Sequence, residues 1–175
     1  DYTISYILNY LKNAKHIKAV CISGGEPTIY NDLLCDISKM KNLFDLSIKV
    51  DTNGSRPEMI MAIRRYVNYL AMDFKGLYPS LFSSISLDTY IRSIREVQKY
   101  DEYEFRITMY PGYIKEDDFE QIAKLLEGSK RVAIQQYRKT ELSTMEPYDA
   151  SVLYRFGRIL ENYADEVLYR NIEGE

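Results

Sequence analysis

The sequence is poor in the residues that most often build metal centres and disulfide frameworks. Its 175 residues contain one histidine, His16, two cysteines, Cys21 and Cys35, and no tryptophan. A structural zinc site takes four ligands, mainly Cys and His, so this composition argues strongly against one. We expect both cysteines to be buried free thiols in a reducing cytoplasm, Cys21 on a strand and Cys35 on a helix.

Long apolar runs and a strong charge bias are also absent. No stretch approaches the roughly 20 apolar residues of a membrane-spanning helix, and no signal-peptide pattern is present. The formal net charge of −3 argues against a dominant nucleic-acid-binding surface. Hydrophobic residues make up 46% of the sequence, as in ordinary globular proteins, and the length fits one domain over residues 1–175.

Helical and strand patterns alternate along the chain. This order predicts an α/β protein with a mostly parallel sheet and right-handed crossovers. The first strand, residues 17–22, is nearly continuously apolar, so we expect it to be buried on both faces. The predicted strands are residues 17–22, 46–50, 69–74, 103–109, 131–137 and 166–170.

Several helix starts have explicit signals. Thr3 is the predicted N-cap of a first helix over residues 3–14, and Asp88 that of a helix over residues 88–99. The segment Ser55–Glu58 predicts a capping box, with Pro57 in the first turn. The other predicted helices cover residues 32–41, 115–127 and 149–163.

Polar residues follow the predicted strands at one edge of the sheet. The segment Ser23–Thr28, with the sequence Ser-Gly-Gly-Glu-Pro-Thr, joins the first strand to a helix. Its adjacent glycines lack side chains, so backbone groups can approach a small molecule directly. Glu26 adds a negative charge and Pro27 stiffens the exit of the turn. A purely structural strand-to-helix turn is the alternative interpretation of so short a motif.

Two aspartates occupy consecutive strand ends at the same edge. Asp51 and Asp73 would be close together, and close carboxylates need a cation, a shared proton or a basic neighbour. Lys75 is one candidate neighbour. A metal ion with oxygen ligands, including an oxygen of Thr52, is the other solution. A local pair of Asp73 with Lys75, with Asp51 acting in a turn, also stays open.

Taken together, these segments resemble the radical S-adenosylmethionine (SAM) superfamily. Within it they resemble most the activating proteins of anaerobic ribonucleoside-triphosphate reductase, a glycyl-radical enzyme; pyruvate formate-lyase activating enzyme is similar at the same places. The resemblance implies a partial (β/α)6 barrel. The matching segments are Ser23–Thr28, Asp51–Ser55, Ala71–Lys75, Phe105–Thr108 with Pro111-Gly112, and Gln135–Arg138.

The resemblance also implies roles for individual residues. Gly24, Gly25 and Glu26 would hold the amino group of SAM, and Lys75 would lie near its carboxylate. Arg138 stands where related proteins carry a histidine that contacts the ribose. Further SAM contacts are implied for Pro27, Asn53, Ser55, Arg106 and Gln136, and a monovalent cation, Na+ or K+, for Asp51, Thr52 and Asp73.

The cluster motif of the family, CxxxCxxC, is absent from this sequence. Cys21 and Cys35 cannot replace it, so no iron–sulfur ligand and no catalytic residue is assigned in this chain. We therefore expect the SAM-binding body of a radical SAM protein whose first strand and cluster loop were removed or never present. Such a body would expose a sheet edge and would be inactive alone.

The predicted function is that of a radical SAM oxidoreductase. With a 4Fe-4S cluster held upstream, the intact protein would cleave SAM reductively and generate a glycyl radical on anaerobic ribonucleotide reductase. Flavodoxin or ferredoxin would supply the electron, and no nucleic acid or membrane would take part. Two alternatives are a cluster-less binding or regulatory module and a radical SAM enzyme for a small molecule, whose pocket residues 78–86 would line.

Overall fold

The computed structural model describes residues 3–81, 84–141 and 145–172, and within them it contains a six-stranded, all-parallel sheet. The predicted α/β fold with a parallel sheet is confirmed. The strands are β1 (Ala19–Ile22), β2 (Ser47–Thr52), β3 (Tyr69–Phe74), β4 (Tyr103–Thr108), β5 (Ser129–Gln135) and β6 (Ala164–Arg170). The α-helices are α1 (Ile4–Asn13), α2 (Leu33–Leu43), α3 (Pro57–Ile63), α4 (Leu87–Val97), α5 (Phe119–Leu125) and α6 (Ala150–Leu160).

The strands neighbour one another in the order of the sequence, from β1 to β6. With right-handed crossovers, this order places the connecting helices on one face of the sheet, as in part of a β/α barrel. Side chains alternate between the two faces of each strand. We call them the helix-covered face, which carries residues such as Ile48, Met72 and Phe105, and the polar face, which carries Asp51, Asp73 and Arg106 among others.

Strand β1 differs from its prediction. It is the edge strand of the described sheet, pairing with β2, and its side chains alternate between exposed and half-buried. Cys21 on β1 and Cys35 on α2 are both exposed free thiols, so the expectation of buried cysteines is wrong. An edge strand lacks a neighbour to cover it, which explains why an apolar run stays accessible here.

Two helix caps also differ from their predictions. Thr3 caps α1 as expected, accepting a hydrogen bond from the Tyr6 backbone N–H. Helix α4, however, begins one residue earlier than predicted, and its cap is Ser86 rather than Asp88. The predicted capping box at Ser55 does not form, because Arg56 occupies the cap position without a side-chain bond. Pro57 lies in the first turn of α3 as predicted.

Among the described residues, none of the helices combines the length and the apolar character needed to span a membrane.

Candidate functional site

The carboxyl ends of β1 to β4 enclose a small polar cavity of about 190 Å³. Parallel strands place these ends at one edge of the sheet, which is why segments distant in the sequence meet here. The cavity is lined by Ser23, Gly24, Gly25, Glu26, Asp51, Thr52, Asn53, Asp73, Lys75 and Arg106.

The turn after β1 presents backbone rather than side chains to this cavity. Gly24 and Gly25 have φ angles of +91° and +55°, a region that glycine adopts without steric cost. A Cβ atom added to either residue would meet no other atom within 4 Å. The glycines therefore leave open space beside the backbone, and a ligand can approach it.

Glu26 joins the glycine turn to the end of β2. Its side chain is buried, and its Oε1 atom accepts hydrogen bonds from the Thr28 backbone at 3.0 Å, the Thr28 hydroxyl and the Thr52 hydroxyl at 2.7 Å. Its Oε2 atom accepts one from the Asn53 backbone at 2.5 Å. A carboxylate oxygen has two lone pairs, so Oε2 retains capacity for a further donor.

The turn after β2 is fixed from two sides. Gly54 has φ of +77°, and a Cβ there would lie 2.2 Å from the Met72 Cε atom, so only glycine fits without movement of the core. The Ser93 hydroxyl of α4 donates to the Gly54 carbonyl at 2.6 Å. These contacts hold Asn53 at the edge of the cavity.

The two predicted aspartates do come together, and the basic group between them is Arg106. Its Nε donates to Asp73 Oδ1 at 2.7 Å, and its Nη1 donates to Asp51 Oδ2 at 3.0 Å. Lys49 Nζ donates to Asp51 Oδ1 at 2.5 Å. Burial alone would raise the pKa of Asp51, but Lys49 and then Arg106 hold that pKa below its usual value.

Tyr90 of α4 fixes the end of β3. Its buried hydroxyl accepts a hydrogen bond from the Lys75 backbone N–H at 2.9 Å and donates to the Asp73 carbonyl at 3.3 Å. Burial, opposed by the Lys75 bond, raises the pKa of Tyr90 well above its usual range, so the hydroxyl stays protonated. Asp73 and Lys75 are thereby held at the edge of the cavity.

A second cleft of about 430 Å³ opens beside the first and shares Asp73, Lys75 and Arg106 with it. Three tyrosines, Tyr110, Tyr113 and Tyr137, also line this cleft. The ring of Tyr110 makes edge contacts with the rings of Tyr113 and Tyr137, at centroid distances of 5.0 and 4.9 Å. The Tyr137 hydroxyl is buried and has no hydrogen-bond partner among the described residues.

This tyrosine cleft bears on the predicted small-molecule pocket. The predicted wall of that pocket is formed by residues 78–86. Of these, residues 82 and 83 lie outside the described residues. The tyrosine cleft is lined by residues on β3 and β4 and by residues that follow β3, β4 and β5. Tyr78 lies near Lys115, with the ammonium 5.8 Å from its ring, and its hydroxyl is 3.4 Å from Asp118.

Four predicted SAM contacts lie outside the polar cavity. Pro27 is buried in the short helix after the glycine turn, and Ser55 lies beyond Asn53 with its hydroxyl buried. Gln136 and Arg138 line a separate surface cleft before α6, where Gln136 donates to the Tyr148 carbonyl at 3.1 Å. Arg138 is exposed there.

The residues present do not fit an iron–sulfur cluster. Cys21 lies on the edge strand and Cys35 on α2, and both are free. In the part of the chain that the structure describes, no group of three or more His, Cys, Asp or Glu side chains could hold a metal ion. The polar cavity does fit a small zwitterion, because it combines open backbone, the Glu26 carboxylate and the Lys75 ammonium side chain.

Sequence reasoning missed several residues that build the site. Lys49 could have been found, because it lies two residues before Asp51 on an alternating strand and so shares its face. Thr28 belongs to the Ser23–Thr28 motif, but the motif alone does not indicate its hydrogen bonds to Glu26. Tyr90 and Ser93 carry no signal, because their hydroxyls act across a tertiary contact between α4 and two strand ends.

Known proteins resemble the chain in sequence and in fold. One relative is MJ1227 of Methanocaldococcus jannaschii, whose name proposes that it is a glycyl-radical enzyme activating enzyme. The two sequences are 28% identical over an alignment of 172 positions, and the match covers 89% of this chain and 72% of the relative.

Two crystal structures share the fold at lower identity. A domain of pyruvate-formate lyase-activating enzyme from Bacteroides vulgatus has a TM-score of 0.67 and 20% identity, covering 90% of this chain and 99% of that domain. SuiB from Streptococcus suis has a TM-score of 0.72 and 15% identity, covering 97% of this chain and 43% of SuiB. The family model described as the Radical SAM superfamily matches residues 1–126, and the chain therefore belongs to that superfamily.

Proposed function

We propose that the polar cavity binds the methionine part of SAM and that the adjoining tyrosine cleft takes its adenosyl part. The observation that carries the proposal is the Gly24-Gly25 turn, whose positive φ angles and open surroundings leave bare backbone beside the cavity. The ammonium of SAM would reach the Glu26 Oε2 atom and the glycine backbone. Its carboxylate would pair with Lys75.

In this arrangement the residues of the chain bind and orient the ligand. Glu26 is held by four hydrogen bonds and so offers a fixed acceptor rather than a mobile one. Lys75 is fixed at its backbone by Tyr90. When bound in a radical SAM enzyme, SAM supplies the deoxyadenosyl group that abstracts a hydrogen atom.

We propose further that the protein activates a glycyl-radical enzyme and that its partner is anaerobic ribonucleoside-triphosphate reductase. The name of the M. jannaschii relative supports the glycyl-radical class. Flavodoxin or ferredoxin would donate the electron, and the protein would work in the cytoplasm. A glycyl-radical signal in electron paramagnetic resonance, formed on the reductase by the anaerobic full-length protein, would support this assignment.

The test of SAM binding is the Gly24→Ala variant of the native full-length protein, titrated by calorimetry. The new methyl group would occupy open space beside the backbone that lines the cavity, so we expect at least a tenfold loss of affinity, or roughly 1.4 kcal/mol. Gly128→Ala is the matched control, because Gly128 has φ of +75° and equally open surroundings but lies before β5, outside the cavity. Equal SAM affinity of Gly24→Ala and Gly128→Ala would contradict the proposal.

A radical SAM enzyme for a small molecule is the second candidate, and the tyrosine cleft favours it. A cleft of about 430 Å³ with aromatic walls is within the size range of sites for small organic ligands. Absence of a glycyl-radical signal on any glycyl-radical partner, together with intact SAM binding, would favour this candidate. SAM binding without any associated iron in the full-length protein would favour the cluster-less module instead.

A further inference from the structure

The strand register places one guanidinium between two carboxylates. Asp73 on β3 is the direct neighbour of Arg106 on β4, and Asp51 on β2 is the neighbour of Ala71 on β3. Arg106 reaches across β3, where the small Ala71 side chain leaves room on the polar face. It thereby contacts Asp73 at 2.7 Å and Asp51 at 3.0 Å with two different nitrogen atoms.

Three of the four carboxylate oxygens at this place already accept a hydrogen bond from a cationic side chain. Both Asp51 oxygens are bonded, Oδ1 to Lys49 and Oδ2 to Arg106. The Thr52 hydroxyl donates to Glu26 at 2.7 Å and accepts from the Gly54 N–H at 3.1 Å. Hard cations are bound by several oxygen ligands at once. Here the Arg106 guanidinium already lies between the two carboxylates, and the Thr52 hydroxyl is held by Glu26 and Gly54, so these residues as arranged do not fit such a cation.

The charges at this place are already balanced. Asp51 and Asp73 contribute two negative charges, and Lys49 and Arg106 contribute two positive charges. The Arg106 side chain is only 16% exposed, so water screens its charge weakly. Burial by itself would lower the pKa of Arg106, but Asp73 and Asp51 raise it above its usual value, and the group stays charged. A bound Na+ or K+ would add a positive charge beside this guanidinium.

We infer that Arg106 is a positioning residue that takes the place of a monovalent cation, so that the polar cavity keeps its shape and its ligand affinity without Na+ or K+. The consequence for ligand affinity rests on the proposed SAM site. The arrangement of the two carboxylates does not, because it can be tested in the ligand-free protein.

The test compares thermal unfolding of the ligand-free full-length protein in KCl, NaCl and choline chloride at equal ionic strength. A cation that binds the folded state raises the unfolding midpoint, whereas choline is too large for the space between two carboxylates. We expect the native protein to unfold at the same midpoint in all three salts. We expect Arg106→Gln, which leaves the two carboxylates unbalanced, to gain several degrees in KCl or NaCl over choline chloride.

Arg92→Gln is the matched control, because it removes an exposed guanidinium that pairs with a single carboxylate, Glu58. It should show no difference between the three salts. A native protein that KCl or NaCl stabilises over choline chloride would overturn the inference, and so would a folded Arg106→Gln variant without any alkali response. If Arg106→Gln does not fold, the comparison of salts on the native protein decides alone.

Calorimetry with SAM provides the second readout. We expect the native dissociation constant to agree within about twofold between KCl and choline chloride, and a tenfold weakening in choline chloride would overturn the inference. Absence of SAM binding in every salt would count against the proposed function only. The unfolding comparison would still decide whether Arg106 takes the place of the cation.

Discussion

The two faces of the sheet have opposite chemistry, although the same strands supply both. On the helix-covered face, the side chains of Ile48, Met72 and Phe105 are fully buried and belong to one continuous apolar cluster. On the polar face, neighbouring residues along the strands such as Lys49, Asp73 and Arg106 are charged and are joined in ion pairs. Arg131 bonds Glu166 at 2.6 Å and the Tyr69 hydroxyl at 3.1 Å, and Arg170 bonds Glu104 at 2.6 Å.

The chemical difference between the two faces indicates that one face mainly stabilises the fold and the other mainly serves ligand binding. Apolar burial contributes about 25 cal/mol per Å² and dominates folding, so the helix-covered face supplies most of the stability. Ion pairs that stay partly exposed contribute little. Because the charges of the polar face are paired, this face lowers the stability of the fold only a little. Its charged side chains are held in place and can contact a ligand at the carboxyl ends of the strands.

The largest expected effect comes from the helix-covered face. Phe105→Ala would leave a cavity in the core and should destabilise the protein by about 3–5 kcal/mol. Thr108→Ala, on the exposed end of the same strand and on the polar face, should stay within about 0.5 kcal/mol of the native protein. Urea unfolding measures both, and equal losses would remove the distinction between the two faces.

An intermediate effect, dependent on pH, is expected from the polar face. Asp51→Asn removes a carboxylate bonded by Lys49 and Arg106, and we expect a loss of about 1–2 kcal/mol at neutral pH. The pKa of Asp51 is lower in the folded protein than its usual value of 3.8, so its contribution is complete above that value. The contribution is lost as the pH falls through the folded pKa.

Urea unfolding of the native protein and of Asp51→Asn between neutral pH and pH values below 3.8 checks this sign. The difference in unfolding free energy should shrink as the pH falls. Asp45→Asn, which removes an exposed carboxylate outside the site, is the control. A difference that grows toward acid pH would mean that Asp51 is strained rather than stabilised by its partners.

The fold was largely predictable because the strands and helices are signalled locally. Alternation in β2 predicts a half-polar strand, and it has that burial pattern. The failures came where a neighbour decides the outcome. The apolar run of β1 resembles a central strand, yet at the edge of the described sheet it stays accessible. The sequence at Ser55 predicts a capping box, but α3 begins at Pro57 with Arg56 at the cap position. The Ser55 hydroxyl is buried and does not cap the helix.

The candidate site was predictable in its segments but not in its contacts. Parallel strands bring Gly24, Asp51 and Asp73 to one edge, and they line one cavity. The choice of Arg106 as the cation between the two aspartates follows from cross-strand register, which the sequence does not state. The tyrosine cleft likewise depends on how the three segments after β3, β4 and β5 fold beside the strand ends.

The smallest effect on stability should be the most specific for the site. Tyr90→Phe removes the hydroxyl that bonds the backbone of Asp73 and Lys75, and we expect a loss of about 1 kcal/mol in unfolding free energy. Because Lys75 is then held less firmly at the cavity, SAM affinity should fall about threefold to tenfold, or roughly 0.7–1.4 kcal/mol. Calorimetry and urea unfolding on the same preparations measure the two quantities.

Tyr100→Phe is the matched control for this prediction. Tyr100 is also a buried tyrosine whose hydroxyl bonds a backbone carbonyl, that of Ile60 at 2.5 Å, but it lies outside the cavity. Both variants should lose similar stability, and only Tyr90→Phe should bind SAM less tightly. If the two variants weaken SAM binding equally, the affinity follows general stability, and the hydroxyl of Tyr90 does not position the end of β3 for the ligand.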